Sequence, residues 1–382
     1  MKRTPQTRLI LLTLFFSTML MTGPGSVNVY GQLFDSEKGK SLIEEAAKYV
    51  YRVDSARSAK AIADVEALFP DHPVVPLMEA VFILWSEIPM HTTDTVFLIF
   101  ENKLKEVIAK SQSMPDSLRA EKIFFEMSAR GFLAEHYADE GAYLKALGEA
   151  RRTYGFMKEG FKLVPDAPEF LLTSGLYNYF RVAYPEKHPV YKSLVWLFRS
   201  GDKEKGIRQL ERAVNETIIS RVEAHLYLSY IYLRYEREPE KSTYYLNKLF
   251  TAYPENSYFR AKYIESLIEM GEYDQVPVLS DTLLLNERNY YKMSGEVFMG
   301  LYHEKVLDER SVAIDFYSNA VGRVEKLRGH GSHYISWAYL GLGRCLLGDE
   351  PERATEYLKQ AKDFAETKWV KEEAVQLLNK ID

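Results

Sequence analysis

From Leu42 onward the apolar residues recur at intervals of three and four, in blocks of roughly 12 to 20 residues, with Pro, Gly, Asp and Asn falling between the blocks. That spacing predicts amphipathic helices joined by short turns, because side chains three and four apart share one helix face. Alternating apolar and polar residues, the mark of a half-buried strand, are scarce. Ala224, Tyr227, Leu228, Ile231 and Tyr232 share one predicted face, and Trp369, Val370, Ala374, Leu377 and Leu378 share another. A helix with one apolar side needs a neighbour to cover it. The chain is therefore predicted to be all-α, with longer helices over 92–109 and 117–139.

The blocks also repeat. Trp337, Leu340 and Gly341 are followed by Gly348 and Asp349, then by Ala354, Leu358 and Ala361. Leu228, Ser229 and Tyr232 precede Ser242, Leu246, Leu249 and Pro254; Ile264 and Leu267 lead to Gly271, Tyr273 and Val276; Gly300 leads to Ala313, Tyr317 and Ala320. With Ser229, Ile264, Gly300 and Gly341 taken as equivalent, the periods are 35, 36 and 41 residues. Small residues recur where two helices would cross closely and bulky ones where they would fill the adjoining groove. This pattern resembles the tetratricopeptide repeat (TPR) family, whose period is about 34 residues. The resemblance implies a right-handed α-solenoid of TPR-like helical hairpins, roughly seven to nine of them. Residues 32–168 read as degenerate N-terminal hairpins, with Ser58, Ile62 and Val65, and again Thr153, Met157 and Gly160, on second helices; 169–382 reads as better formed repeats ending in a capping helix over 369–381.

The stretch VYKSLVWLFRSGDKEKG, residues 190–206, could be taken for a phosphate-gripping loop. A P-loop needs a preceding strand and a GxxxxGK[ST] spacing, whereas here no strand precedes and Gly206 is followed by Ile207. Gly201, Asp202 and Gly206, then Leu210 and Ala213, instead match the turn and second helix of a repeat whose first helix holds Gly175, Tyr177 and Asn178. The segment 175–213 is also similar to the helical-repeat family named for the clearance of cytosolic inclusion bodies. Residues 182–200 exceed a standard repeat; they are expected to plug the interior of the array, the alternative being an interfacial helix touching lipid, with Lys187, His188, Lys192 and Arg199 around its apolar side chains.

Residues 1–8 carry Lys2, Arg3 and Arg8 without an acid, and 9–21 are nearly all apolar, the layout of a secretory signal. Cleavage is expected near Gly31, which places the mature chain in the periplasm or outside the cell. Without residues 1–31 the formal charge moves from −5 to −8, with 46 basic against 54 acidic residues. That balance argues against a nucleic-acid partner. Cys345 is the single cysteine, so no internal disulfide can form; on a helix beside Leu346 it reads as a buried thiol.

Catalytic motifs are not apparent: the chain has no GxSxG, HExxH, GxGxxG or paired CxxC. His330 and His333 form the one close histidine pair, expected in a solvated loop, and adjacent acids such as Glu44-Glu45 point apart on a helix. No cofactor or metal is expected. The resemblance to TPR proteins implies a concave groove lined by the first helix of each repeat. Carrying that register over places Tyr179, Tyr230, Leu233, Arg234, Tyr258, Glu265, Glu269 and Glu304 along it. The inner positions that hold Lys, Asn and Arg in carboxylate-clamping TPR proteins hold Leu226, Tyr230, Ala261, Glu265, Val297 and Leu301 here, so that clamp is not expected. Tyr227, Tyr232, Tyr244, Tyr245 and Tyr317 are assigned to packing. The expected function is non-catalytic binding of a protein or peptide with apolar and basic groups, in the bacterial cell envelope; a glycan- or lipid-binding protein is the alternative, and an enzyme with a site assembled across helices the third reading.

Overall fold

The structure, a computed structural model, describes residues 32–381 apart from 92, 188, 190–197, 328 and 329. The predicted signal and cleavage point, and most of the apolar part of 182–200, lie outside the described residues. The described chain is helical, without strands, and divides into two compact units, one ending at Asn256 and the other starting at Ser257.

The first unit comprises α1 (Glu37–Tyr51), α2 (Ser55–Leu68), α3 (Val74–Glu87), α4 (Thr95–Ser113), α5 (Arg119–Asp139), α6 (Tyr143–Leu163), α7 (Phe170–Lys187), α8 (Lys203–Glu216), α9 (Arg221–Ile231) and α10 (Pro239–Ala252). The second comprises α11 (Ser257–Met270), α12 (Val276–Leu284), α13 (Asn289–Lys305), α14 (Arg310–Val321), α15 (Ser332–Leu346), α16 (Pro351–Phe364) and α17 (Lys368–Leu378). Within each unit every helix packs on the next in sequence. The odd-numbered helices also touch one another directly: α1 on α3, α3 on α5 and α7 on α9 in the first unit, and α11 on α13, α13 on α15 and α15 on α17 in the second. A hairpin whose first helix reaches both helices of the hairpin before it, as those begun by α3, α5, α9, α13 and α15 do, is the TPR-like arrangement; the described residues hold five hairpins in the first unit and three in the second, followed by α17.

Local chemistry starts several of the helices. The side chains of Ser36, Asp54 and Asp202 accept the backbone N–H three residues on, at 3.0, 3.0 and 2.9 Å, which satisfies one of the orphan donors of α1, α2 and α8. Asp202 therefore caps α8, and the charged segment after Gly201 is a helix start. Proline opens α10 and α16, where its missing N–H costs nothing.

The repeat residues are the core. Gly175, Gly206, Leu210 and Ala213 are buried, as are Leu228, Ser229, Tyr232, Ile264, Ala313, Tyr317, Gly341, Ala354 and Leu358. At Gly206 an added Cβ would lie 2.5 Å from the backbone nitrogen of Tyr179 and 2.8 Å from the Gly175 carbonyl, so α7 and α8 meet backbone to backbone. The Tyr317 ring is held between two glycines of successive odd helices: a Cβ on Gly300 would meet it at 2.5 Å and one on Gly341 at 2.3 Å. Two expectations are corrected. Tyr244 is 56% exposed, because the buried face of α10 runs through Ser242, Leu246 and Leu249 and carries Tyr244 off it. His333 is buried on the first turn of α15 and its Nε2 lies 3.0 Å from Glu265 Oε1, so it belongs to a core network and not to a solvated loop.

Candidate functional site

In the first unit the odd-numbered helices enclose a partly open cleft of about 80 Å³. Its lining is Ile43, Ala47, Val50 and Tyr51 of α1, Val74, Leu77, Met78 and Val81 of α3, Phe124, Ser128 and Phe132 of α5, Leu172 of α7, Ile219 and Ser220, and Glu223 of α9. No even-numbered helix contributes. The apolar stripe of α3 runs almost all round the helix, so one side packs on its neighbours and the other is left facing the cleft.

The polar end of the cleft is made by α1 and α9. Tyr51 Oη donates to Glu223 Oε1 at 2.6 Å. Burial pushes the Glu223 carboxyl up to about 7, against the Tyr51 hydrogen bond, and the nearby Glu169 carboxyl adds to the rise. Burial and the Glu223 carboxylate likewise hold the Tyr51 phenol well above its ordinary range. Glu169 opens the chain into α7 and accepts from the backbone nitrogens of Ile218 (2.7 Å), Ile219 (3.1 Å) and Ser220 (3.0 Å). Those three N–H groups precede α9 and lack helical partners, so Glu169 fixes where α9 starts and hence where Glu223 sits. Burial still raises the Glu169 carboxyl, opposed by these hydrogen bonds.

The α1 end is tied down around it. Asn256 Nδ2 donates to the Tyr51 carbonyl at 3.0 Å, Arg52 Nε donates to the Ala252 carbonyl at 3.1 Å, and Arg221 Nη1 pairs with Glu44 Oε1 at 3.2 Å. The Tyr51 ring packs against Trp85 and Tyr253, with centroids 5.9 and 5.5 Å away. Among the described residues the cleft lining offers no imidazole or thiol to a metal, and Glu223 is its one carboxylate.

The residues expected in a groove fall elsewhere. In the first unit Tyr179 is fully buried with its hydroxyl donating to Glu236, while Tyr230 is 37% exposed. Both rings flank Tyr235 at 5.9 Å, and Leu233 and Arg234 are half-buried on the π-helical turn that prolongs α9, where Lys187 donates to the Arg234 carbonyl at 3.2 Å. In the second unit Tyr258 is half-buried with Lys262 over its ring at 5.7 Å. Glu265 is 1% exposed and takes the Tyr334 hydroxyl at 2.7 Å, the Lys262 ammonium at 2.8 Å and His333 at 3.0 Å. Glu304 holds Arg344 at 2.5 and 2.7 Å and accepts from Tyr317 at 2.7 Å; Glu269 accepts from Trp369 Nε1 at 3.3 Å. Ala261, Val297 and Leu301 are buried. Sequence reasoning did not find Tyr51, Glu169 and Glu223. The signal for Glu169 was an acid directly before the apolar start of α7; Tyr51 and Glu223 carry none, being 172 residues apart.

No family model matches the chain, and no curated protein matches it. Among solved structures, the TPR domain of P58(IPK), determined at 2.5 Å, is similar over 89% of this chain and 98% of its own, with 15% identity and a TM-score of 0.23. No helix of the described residues is long and apolar enough to cross a membrane.

Proposed function

We propose that this chain is a non-catalytic binding scaffold, acting on a protein or peptide through the face formed by its odd-numbered helices. The observation that supports this reading most is the origin of the cleft: the helices that line it are odd-numbered without exception, so the hairpin array collects one face of each hairpin around a shared recess. Recesses with an apolar lining and a few converging polar groups are where proteins take ligands. The exposed edge of Tyr230, next to Tyr235 and Arg234, adds an aromatic and basic patch of the kind that anchors partner side chains. The layout of residues 1–21, basic and then apolar, supports export to the cell envelope.

The test is crosslinking and affinity capture of the tagged chain from its own cells, beside Tyr230→Ala and Arg234→Glu. One dominant protein, diminished by those changes, is the expected result; recovery of no protein partner overturns the reading. N-terminal sequencing of the chain from fractionated cells tests export: a start near residue 32 agrees with it, and a start at Met1 in the cytosolic fraction removes it.

A further inference from the structure

The cleft has a chemistry more specific than apolar recognition. Its walls are aliphatic and aromatic, yet the acidic side chain of Glu223 lines it, and among the described residues no Lys or Arg side chain does. Arg221, two residues from Glu223, turns away to Glu44 at 3.2 Å. The titratable groups around Glu223 are Tyr51, which donates to it, Glu169, whose carboxyl accepts from three backbone N–H groups, and the phenols of Tyr227 and Tyr253, none of them a cation. The pocket end is therefore acidic, without a cation of its own.

A half-buried carboxylate, fixed by a hydrogen bond at 2.6 Å, is preorganised for a positive ligand group. An anionic ligand would meet the Glu223 carboxyl. A neutral hydrocarbon would fill the walls but leave the charge uncompensated. The recess, about 80 Å³, is partly open, so a longer chain need bury only its charged end there.

We propose that this cleft is a binding site for a primary ammonium group on a short aliphatic chain, with Glu223 as the counter-charge and the α1–α3–α5 side chains as the walls. The same chemistry is carried by a free alkylamine and by a lysine side chain. It stands on the cleft alone, so its outcome is independent of whether a protein partner is captured.

The experiment follows the 13C-methyl signal of Met78, which lines the cleft, in the whole chain at pH 8. Pentan-1-amine, pentan-1-ol and pentanoate are titrated separately, then Nα-acetyl-lysine N-methylamide. The amine is expected to give a saturable shift at a concentration about tenfold or more below the alcohol, the margin of a charge-assisted over a neutral hydrogen bond. Glu223→Gln keeps an acceptor for Tyr51 and is expected to erase most of that preference, while Val81→Phe fills the cleft and is expected to abolish the shift for every probe. Binding of the lysine derivative with the same Glu223 dependence identifies a side chain as the natural source; its exclusion while pentan-1-amine binds identifies a free amine. Equal binding of alcohol and amine, tighter binding of pentanoate, or no saturable Met78 shift overturns the proposal.

Discussion

Replacing Glu223 by Gln should change how the first unit responds to pH, and the sign follows from the direction of its titration. The folded carboxyl is pushed from an ordinary 4.5 to about 7, chiefly by burial. A group raised in the folded state contributes its stability fully below the unfolded value and loses it as pH climbs through the folded one. Wild type should therefore lose stability between pH 4.5 and pH 7, and above that carry a desolvated anion. At 1.36 kcal/mol per pH unit across that interval the loss is about 3 kcal/mol, a ceiling because Glu223 is half-buried and solvent screens part of the effect. The substituted amide cannot ionise yet still accepts from Tyr51, and Glu169 remains in both proteins, so the difference between them isolates Glu223. The assay is equilibrium urea unfolding from pH 4.5 to 8, followed by the Met78 methyl signal. Wild type should fall relative to Glu223→Gln as pH rises. A difference that stays flat over this range, or that grows in favour of wild type, refutes the reasoning.

Three further outcomes are expected. Gly206→Ala should destabilise the first unit by about 1–3 kcal/mol, since the new methyl meets backbone on α7, whereas Gly148→Ala, with nothing within 4 Å, should stabilise α6 by up to about 1 kcal/mol; denaturant midpoints of the two variants should move in opposite directions. Glu265→Ala strands Lys262, His333 and Tyr334 together and should cost the second unit about 3 kcal/mol, read as an earlier loss of the near-UV circular dichroism of Trp337 and Trp369. Cys345 is 4% exposed and burial pushes its thiol up to about 11, so a disulfide reagent at pH 8 should modify it slowly in the native chain and rapidly in urea.

The hairpins were legible because their information is local and periodic. Gly175, Gly206, Gly300 and Gly341 announce close crossings within about one repeat length of the bulky partners they admit, and the register read from them matches the helices observed, from α2 at Ser58 to α16 at Ala354. The acidic cleft was not legible, since an isolated Glu on a helix reads as solvated until the opposite wall is known, and the wall at Tyr51 is 172 residues away. His333 was misjudged for the same reason: its partner Glu265 sits 68 residues upstream on another odd helix. Tyr244 failed differently, as a neighbour of the true packing residue Ser242 on a face drawn too wide.

The tie between Tyr51 and Asn256, 205 residues apart, bears on how this chain can evolve. Open repeat arrays gain and lose units readily, because each unit answers only to its neighbours and interfaces are interchangeable along the row. Once the first hairpin is fastened to the segment after the tenth helix, the number of units between them is counted by geometry: adding or deleting one would pull Tyr51 off Glu223 and Arg52 off Ala252 together. Variation by duplication is then closed to residues 37–256, and lineages of this chain should differ there by substitution and by loop length, keeping five hairpins as a fixed count.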